Sequence, residues 1–510
     1  MTPSTQRGIV TGAIMLATVM QTLDSTIANV ALPHMQGTMS ATEDQIAWVL
    51  TSYIVAAAIA TPATGFFSQR FGRKRLLNIS IIGFTIASML CGAAQTLEEI
   101  VLFRFAQGVF GAAFVPLSQA IMLDTYSLEM RGKMMALWGL GVMVGPIIGP
   151  ALGGWLTDSY SWRWVFYINM PFGILAFLGV SVALTESKLD FLRRFDWMGF
   201  AFLSIAIGAM QLMLDRGNLQ DWFSSGEIIS EALIAAFAFY WFMAHSLTAR
   251  KPFIDLALFK DRNLVVGVIL MALVGLMLYA TMALMPPFLE TLMGFPVTTT
   301  GLVLAPRGMG TMVAMFIAGR IINKVDMRHL IALGLALSSF SLWQMTKFNL
   351  DISQEMIILT GVVQGVGLGL IFAPMTTVTF ATLPAHLRTD GTSIYSLLRN
   401  VGASVGISIA MTMLARLTQI NHAAFASHID PTNPIFRSAA MPHGFDLSSP
   451  AGFSFLNGEM TRQAAAIAYL DDFRMMMVMT ALIIPLVYFM SNPSLTPEDM
   501  AEAAKHAVVD

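Results

Sequence analysis

About fourteen apolar stretches, each long enough to form a membrane-spanning helix, dominate this sequence. A helix of about 20 apolar residues crosses the hydrocarbon core of a bilayer, so each stretch predicts one span. Only 12% of the residues are charged, about half the share in a soluble protein, which leaves too few charges to cover a water-facing surface. The fold class is therefore an all-α membrane protein. The predicted spans are 8–32, 45–68, 76–95, 98–122, 133–156, 164–186, 197–214, 227–247, 264–289, 299–319, 329–346, 355–383, 392–416 and 473–491.

Lysine and arginine are distributed unevenly between the two sets of links that join these spans. Nineteen of the 29 fall on the side of the N-terminus, four on the opposite side, and six in or at the ends of spans. Cytoplasmic links carry such an excess, so we expect a cytoplasmic N-terminus. An even number of spans then places the C-terminus there too. The first stretch is too long for a signal peptide and contains Asp24, so we expect it to remain as a span in the inner membrane.

An internal repeat relates the beginning and the end of the chain. At an offset of 257, the matching positions are Gln107-Gly108-Val109 with Gln364-Gly365-Val366, Arg131 with Arg388, Gly145 with Gly402, and Gly149 with Gly406. Two parallel six-helix halves around a midplane cavity are a known transporter plan. The predicted organisation is a six-helix bundle 1–190, two inserted helices 191–262, a second six-helix bundle 263–492 with a long outer loop 417–472, and a cytoplasmic tail 493–510. The loop is either solvated or a docking surface for a periplasmic partner, and its part 460–470 is a candidate amphipathic helix.

Two charged residues lie at membrane depth in the first half. Asp24 is inside the first span, where a carboxylate is costly unless it is paired, hydrated or protonated. Arg104 is inside the fourth span, and its guanidinium keeps its proton. We therefore expect Arg104 to pair with Asp24, and Asp24 to carry the proton; a purely structural pair is the alternative. The repeat places Gly361 opposite Arg104, which assigns the proton chemistry to the first half.

Two glycine-containing motifs predict close contacts between helices. The fifth span has the stripe Gly141, Gly145, Pro146, Gly149, Pro150 and Gly153. Small residues let helix backbones approach each other, and proline favours a bend, so this helix either seals the two halves or simply packs tightly. A short cationic turn on the predicted cytoplasmic side contains Gly65, Arg70, Gly72 and Arg73. It interacts with lipid headgroups or helix C-termini, or acts only as an orientation signal.

Polar residues within the spans are candidates for the substrate cavity. They are Asn29, Gln107, Gln119, Gln211, Tyr279, Arg307, Gln364 and Asn400. Each can instead form an ordinary interhelical hydrogen bond. Arg307, in the tenth span, is the candidate for a partial counterpart of Arg104.

Several function classes lack support in the sequence. There is no GxxxxGK[ST] phosphate loop for ATP, no HExxH motif and no metal-spaced Cys/His cluster, and Cys91 is the single cysteine. The net charge of −2 gives no reason to expect nucleic acid. We therefore expect no enzyme activity, no metal and no cofactor, with the proton gradient as the energy source.

These motifs together resemble the major facilitator superfamily, and within it the fourteen-helix drug:proton antiporters. Leu23-Asp24-Ser25-Thr26-Ile27-Ala28-Asn29 is similar to that family's first-helix signature, Gly65–Arg75 to the superfamily loop motif, Arg104…Gln107-Gly108 to the fourth-helix proton motif, and Gly141–Gly154 to the fifth-helix antiporter motif. The resemblance implies a major facilitator fold and proton coupling through Asp24 and Arg104. One departure is Gln69, where the family usually has an acidic residue.

Further segments resemble the EmrB group, the inner-membrane subunits of tripartite efflux pumps. They are Leu214-Asp215-Arg216-Gly217, Asp221-Trp222-Phe223-Ser224-Ser225 and Asp255–Lys260. This resemblance implies a periplasmic adaptor of the EmrA type and an outer-membrane channel of the TolC type. The expected function is proton-driven export of hydrophobic drugs or other toxic small molecules. The alternative is proton-coupled import or export of a specific metabolite or siderophore.

Overall fold

The computed structural model describes residues 3–186, 189, 194–322, 324–429 and 450–491, and the regular structure in these ranges is helical. The first half and the inserted pair contain α1 (Pro3–Met39), α2 (Glu43–Ala60), α3 (Ala63–Phe71), α4 (Arg73–Ala93), α5 (Leu97–Gly111), α6 (Phe114–Thr125), α7 (Leu128–Ser159), α8 (Trp164–Tyr167), α9 (Asn169–Ala183), α10 (Trp197–Arg216) and α11 (Gly226–Thr248). The second half contains α12 (Arg262–Pro287), α13 (Val297–Ile321), α14 (Met327–Met345), α15 (Gln354–Ala381), α16 (Arg388–Ala426) and α17 (Pro450–Ile483). The predicted tail 493–510 lies outside the described residues.

The chain is a multi-pass membrane protein. Within its described part, twelve helical segments are long and apolar enough to cross a bilayer. A thirteenth span is bent, because α2 and α3 meet at 58° around Pro62, which cannot donate a backbone hydrogen bond. The remaining predicted span, 329–346, forms α14, which is less apolar because Arg328, His329 and Gln344 lie near its ends.

The two halves pair their helices in the same pattern. In the first half α1 packs on α7 and α2 on α5, and in the second half α12 packs on α16 and α13 on α15. Gly145 lies against the backbone of α1 at Thr22, and its repeat partner Gly402 lies against the backbone of α12 at Ala272. A side chain at either glycine would separate the paired helices. The internal repeat is therefore a repeat of helix packing, and the fold is two six-helix bundles with two inserted helices.

The inserted helices are attached to both bundles. Helices α10 and α11 pack on each other, and α10 also packs on α2 and α16. At one end of the pair, Asp196 accepts hydrogen bonds from the backbone N–H groups of Gly199 and Phe253, both at 3.0 Å. Nε2 of His245 on α11 lies 2.9 Å from the same carboxylate. One side chain thus joins the start of α10 to the end of α11.

The segment predicted as a long outer loop is helical at both ends. Helix α16 continues through Ala426 and α17 begins at Pro450, with the predicted amphipathic helix 460–470 inside α17. Asn421 Nδ2 donates to the carbonyl oxygen of Ala464 at 3.3 Å, which joins the two extensions. The irregular part is therefore shorter than 417–472. Its remaining stretch, 430–449, lies outside the described residues.

The two bundles meet at the face of the molecule that carries most of the lysine and arginine, called the basic face below. There α7 packs on α13 and α15, and α16 packs on α3 and α6. Gly132 on α7 lies against Ile322, and Gly319 on α13 lies against Ala136. These close approaches hold the bundles together at the basic face.

Candidate functional site

Asp24 and Arg104 form an ion pair in the interior of the first bundle. Arg104 Nη1 lies 2.6 Å from Asp24 Oδ2, and both residues are 0% exposed. The structure confirms the pairing predicted from the sequence. Two opposite charges in contact are neutral as a unit, which lowers the cost of placing them among apolar helices.

Three side chains from two helices donate hydrogen bonds to the Asp24 carboxylate. Besides Arg104 on α5, Gln107 Nε2 on the same helix donates to Asp24 Oδ1 at 2.8 Å. Asn169 Nδ2, at the start of α9, donates to the same oxygen at 2.9 Å and lies 2.9 Å from Ser88 Oγ on α4. One charged and two neutral side chains therefore hold Asp24 in place.

The Arg104 side chain is held from every side. Its Nε donates to the carbonyl oxygen of Val49 on α2 at 3.1 Å, and its Nη1 donates to Gln107 Oε1 at 2.8 Å. The guanidinium lies 4.3 Å from the centre of the Tyr53 ring. The thiol of Cys91 donates to Gln107 Oε1 at 3.7 Å. Each helix that surrounds α5 therefore has a polar or aromatic contact with this one network.

Local sequence explains how α5 presents its two functional side chains. The helix starts with a capping box, in which Thr96 Oγ1 accepts from the Glu99 N–H at 3.2 Å and Glu99 accepts from the Thr96 N–H at 3.4 Å. Arg104 and Gln107 are three residues apart and so share one helical face. That face points into the bundle.

The glycine stripe of α7 is packed against α1. Cβ atoms added at these glycines would meet residues of α1, in the order Gly141 with Met15, Gly145 with Thr22, Gly149 with Thr26, and Gly153 with Ile27. Asp24 lies between the second and third of these contacts. Pro150 is exposed, and the side chain of Pro146 lies outside the described structure. The stripe therefore fixes the helix that carries the buried carboxylate.

The cationic turn contacts the opposite bundle at the basic face. A Cβ at Gly65 would overlap the carboxylate of Asp390 at the start of α16. Gln69 Nε2, at the position where an acidic residue was expected, donates to Asp390 Oδ2 at 3.0 Å. The carboxylate that this contact uses therefore belongs to the other half. Gly72 has a φ of +89°, a conformation that favours glycine.

A second polar contact at the basic face is centred on Asp124, at the end of α6. Its carboxylate pairs with Arg73 from the cationic turn and with Arg388 from the second half. Arg73 Nε also donates to Thr389 Oγ1 at 3.1 Å. The turn is therefore part of a polar connection between the two bundles, and Arg70 lies at its start, in the last turn of α3.

A small cavity lies between the bundles, and it is mostly apolar. Its walls include the methionines Met135, Met143, Met271 and Met315. Of the predicted cavity residues, Gln119 lines it, together with Trp138, Thr376, Tyr395 and Arg399. Arg399 forms no ion pair among the described residues and is the charged residue of this lining.

The other predicted cavity residues lie in separate places. Gln107 belongs to the Asp24 network, Asn29 is exposed on α1, Tyr279 and Asn400 are half-buried, Gln211 is buried in α10, and Gln364 is buried with no hydrogen-bond partner for its Oε1. Arg307 lies beside Gly361, the repeat position of Arg104. No carboxylate within the described residues pairs with Arg307, and its Nη2 has no hydrogen-bond partner.

Three residues of this site were missed from the sequence. Asp390 was hidden because its partner, Gln69, is uncharged. Arg399 was counted only as a residue within or at the end of a span. Asp472 was placed in the outer loop, because the last span was predicted to begin at 473, yet it is fully buried in α17. The only sign in the sequence that Asp472 is buried was its position directly before the apolar residues of the last predicted span.

Two repeated six-helix bundles with a cavity between them and an ion pair buried in one define a membrane transporter rather than an enzyme. The chain belongs to the Major Facilitator Superfamily, whose sequence model matches residues 14–407.

The relatives are close to full length. The chain is 36% identical to the multidrug export protein EmrB of Haemophilus influenzae, over 90% of this chain and 91% of the relative. It is 35% identical to the fatty acid resistance protein FarB of Neisseria gonorrhoeae, over 95% and 96%. The crystal structure of the human organic anion transporter MFSD10 has the same fold, with a TM-score of 0.59, 14% identity, and coverage of 93% of this chain and 99% of that one.

Proposed function

We propose that this transporter is a proton-driven exporter of hydrophobic drugs or other toxic small molecules. It works in the inner membrane with both termini in the cytoplasm, so the basic face is cytoplasmic. The buried pair Asp24–Arg104 is the observation that carries the proposal. Asp24 can bind and release a proton, whereas Arg104 retains its charge throughout.

The proton acts by changing the partners of Arg104. Protonation of Asp24 from the periplasm removes the charge that holds Arg104, Gln107 and Asn169 around α1. The network loosens, and the α1–α7 contact, which the glycine stripe makes close, adjusts with it. We infer that this favours outward release of substrate, and that loss of the proton to the cytoplasm restores the pair. One charge that moves through 100 mV supplies about 2.3 kcal/mol.

The cavity between the bundles supports a hydrophobic substrate. Methionine is flexible and polarizable, so a wall of four methionines adapts to different shapes. Two polar atoms of the lining, Gln119 Oε1 and Trp138 Nε1, have no partner among the described residues and are available to bond a substrate. Because Arg399 is the one charged residue of the lining, this surface suits uncharged or weakly ionised compounds once the bundles move apart.

Two further observations support export and a tripartite pump. Two relatives at 36% and 35% identity carry the names of an export protein and a resistance protein. Helix α16 has 39 residues and is about 58 Å long, about twice the thickness of the hydrocarbon core. We propose that the paired extensions of α16 and α17 contact a periplasmic adaptor of the EmrA type, which connects to an outer-membrane channel of the TolC type.

The test is drug susceptibility of an efflux-deficient host that expresses the wild type or Asp24→Asn. We expect resistance from the wild type and none from the variant, at equal amounts of protein in the membrane. Asp158→Asn changes an exposed aspartate of α7 and should leave resistance unchanged. Equal resistance from Asp24→Asn and wild type would remove Asp24 from proton coupling. Everted vesicles that fail to accumulate drug under a proton gradient would favour the metabolite or siderophore transporter.

A further inference from the structure

Asp472 is a second buried carboxylate, on the last helix of the second bundle. It is 0% exposed, and neither of its oxygens has a hydrogen-bond partner among the described residues. An ionised carboxylate in this position would be costly, since nothing around it supplies a positive charge or a donor. Ionisable residues inside membrane spans are usually functional for this reason.

The surroundings of Asp472 follow from its neighbours one turn away. Tyr469 and Met476 lie on the same face of α17 as Asp472. Tyr469 contacts Phe288 just beyond the end of α12, with ring centres 5.3 Å apart, and Met476 Sδ lies 3.7 Å from Thr281 Oγ1 on α12. Asp472 lies between these two contacts and so faces the last turns of α12. There α12 contributes apolar residues, Leu284 and Met285, both buried.

Among the described residues, no cation is ion paired to Asp472 as Arg104 is to Asp24; Arg474, two residues further along α17, pairs with Asp471 instead. On α17 itself, Asp471 and Tyr469 are the titratable groups that act on it, and neither is a cation at any pH. None of the titratable groups on the neighbouring elements is hydrogen bonded to Asp472. They are Arg262 and Tyr279 on α12, Glu290 in the turn after α12, Arg328 and His329 on α14, and Arg388, Asp390, Tyr395, Arg399, Arg416 and His422 on α16. The neutral acid is therefore the form that this site accommodates.

The internal repeat relates the surroundings of Asp472 to those of the proposed proton site, Asp24. The offset of 257 carries Asp24 to Thr281, on the first helix of the second bundle. Thr281 contacts α17 one turn from Asp472, just as Asp24 contacts Asn169 on the last helix of the first bundle. In each bundle, one carboxylate thus lies where the first and last helices meet. In the first bundle the first helix carries it, and in the second bundle the last helix does.

We propose that Asp472 is a second proton-binding site, which takes up and releases a proton during the transport cycle in addition to Asp24. This inference rests on the proposed proton-driven function. A carboxylate without a permanent counter-ion is neutral when buried and ionises only when water or a cation reaches it. Binding at Asp472 would therefore follow the opening and closing of the second bundle around α12 and α17.

Infrared difference spectroscopy of the full chain in lipid nanodiscs tests the proposal without a substrate. The spectra compare mildly acidic with mildly alkaline buffer, in the carbonyl region of protonated carboxylic acids. We expect a pH-dependent band that disappears in Asp472→Asn. Asp471→Asn is the matched control, because its side chain is 39% exposed and pairs with Arg474 at 3.7 Å. That variant should keep the band.

Two results would overturn the proposal: a spectrum of Asp472→Asn that equals the wild type, or a band that does not respond to pH. If the asparagine variant does not fold, Asp472→Glu replaces it and should shift the band. The drug-susceptibility assay separates this inference from the proposed function. If Asp24→Asn gives the same drug resistance as the wild type while the Asp472 band depends on pH, only the exporter cycle is rejected. If Asp24→Asn abolishes drug resistance and no pH-dependent Asp472 band is found, only the second proton-binding site is rejected.

Discussion

The two bundles contain the same kinds of charge but arrange them differently. In the first bundle, Asp24 and Arg104 are 2.6 Å apart and fully buried. In the second bundle, Arg307 and Asp472 are both present in the interior, yet neither has an ionic partner within the described structure. A neutral pair tolerates burial in either conformation of a transporter, whereas an isolated group depends on its protonation or on water. The difference teaches that structural repetition of helices does not imply repetition of their chemistry.

Removal of the arginine in each bundle is the largest expected test of this contrast. Arg104→Gln leaves Asp24 buried without its counter-ion and should lower the free energy of unfolding by about 3–5 kcal/mol. Arg307→Gln removes a cation that has no carboxylate partner and should cost little or nothing. Thermal unfolding of the purified proteins in detergent measures both. Equal losses of stability would contradict the contrast, and Asp24→Asn combined with Arg104→Gln should recover part of the loss.

The next effect concerns the polar neighbour of each carboxylate. Asn169→Ala removes hydrogen bonds at 2.9 Å to Asp24 and Ser88, and should cost about 1–3 kcal/mol. Thr281→Val in the second bundle removes a hydroxyl that bonds its own helix and should cost less. The same unfolding measurement compares them. A larger loss from Thr281→Val would show that the second bundle depends on polar contacts as much as the first.

A smaller effect is expected at the basic face, where the contacts of the two bundles also differ. Gln69→Glu places a carboxylate beside Asp390 and should weaken the polar contact by about 1 kcal/mol, the repulsion of two charges 4 Å apart in water. Distances between spin labels at Lys74 and His386 should lengthen in part of the population. An unchanged distance distribution would show that this contact does not limit opening.

The smallest expected effect on stability comes from the N-terminal caps of α4 and α14, which are equivalent helices of the two bundles. Helix α4 is capped by a distant residue, Glu186, which accepts from the Lys74 N–H at 3.1 Å. Helix α14 is capped by its own Asp326, and the Arg328 guanidinium at 2.7 Å lowers the pKa of that carboxyl. A carboxyl whose pKa is lower in the folded state stabilises the fold above its unfolded pKa, and loses this contribution as pH falls through the folded pKa.

Asp326→Asn should therefore cost less than about 1 kcal/mol at neutral pH. The difference from wild type should vanish in acid, which melting temperatures across a pH series will show. A difference that persists below the folded pKa of Asp326 would assign the effect to packing rather than charge.

Much of the fold could be predicted because a chain that crosses a lipid bilayer has few alternatives to the helix. Length and hydropathy predicted the apolar spans, and the glycine stripe predicted a closely packed fifth helix without identifying its partner. The outer extension of α16 was missed because its polar residues lack the apolar signal of a membrane span. The broken second span was missed as well, although Pro62 was visible in the sequence.

The part of the candidate site that could be predicted is the ion pair, because both of its charged residues were recognisable in the sequence. Asp24 and Arg104 each stood out within an apolar stretch, and opposite charges suggested the pairing. Apart from Gln119, the residues that line the cavity could not be predicted, because a helical sequence does not show which of its faces points at the other bundle. Asn29 was therefore predicted in the cavity but is exposed on α1, while Trp138 and Arg399, which were not predicted there, line the cavity.

The single cysteine of the chain has a practical consequence. Cys91 is fully buried, and its thiol is bonded to the glutamine that also holds Asp24. A thiol reacts with an alkylating reagent only as the thiolate and only when the reagent reaches it. The rate at which Cys91 is alkylated in the native protein therefore measures how often solvent reaches the surroundings of Asp24 in the first bundle. No engineered residue is needed for this measurement.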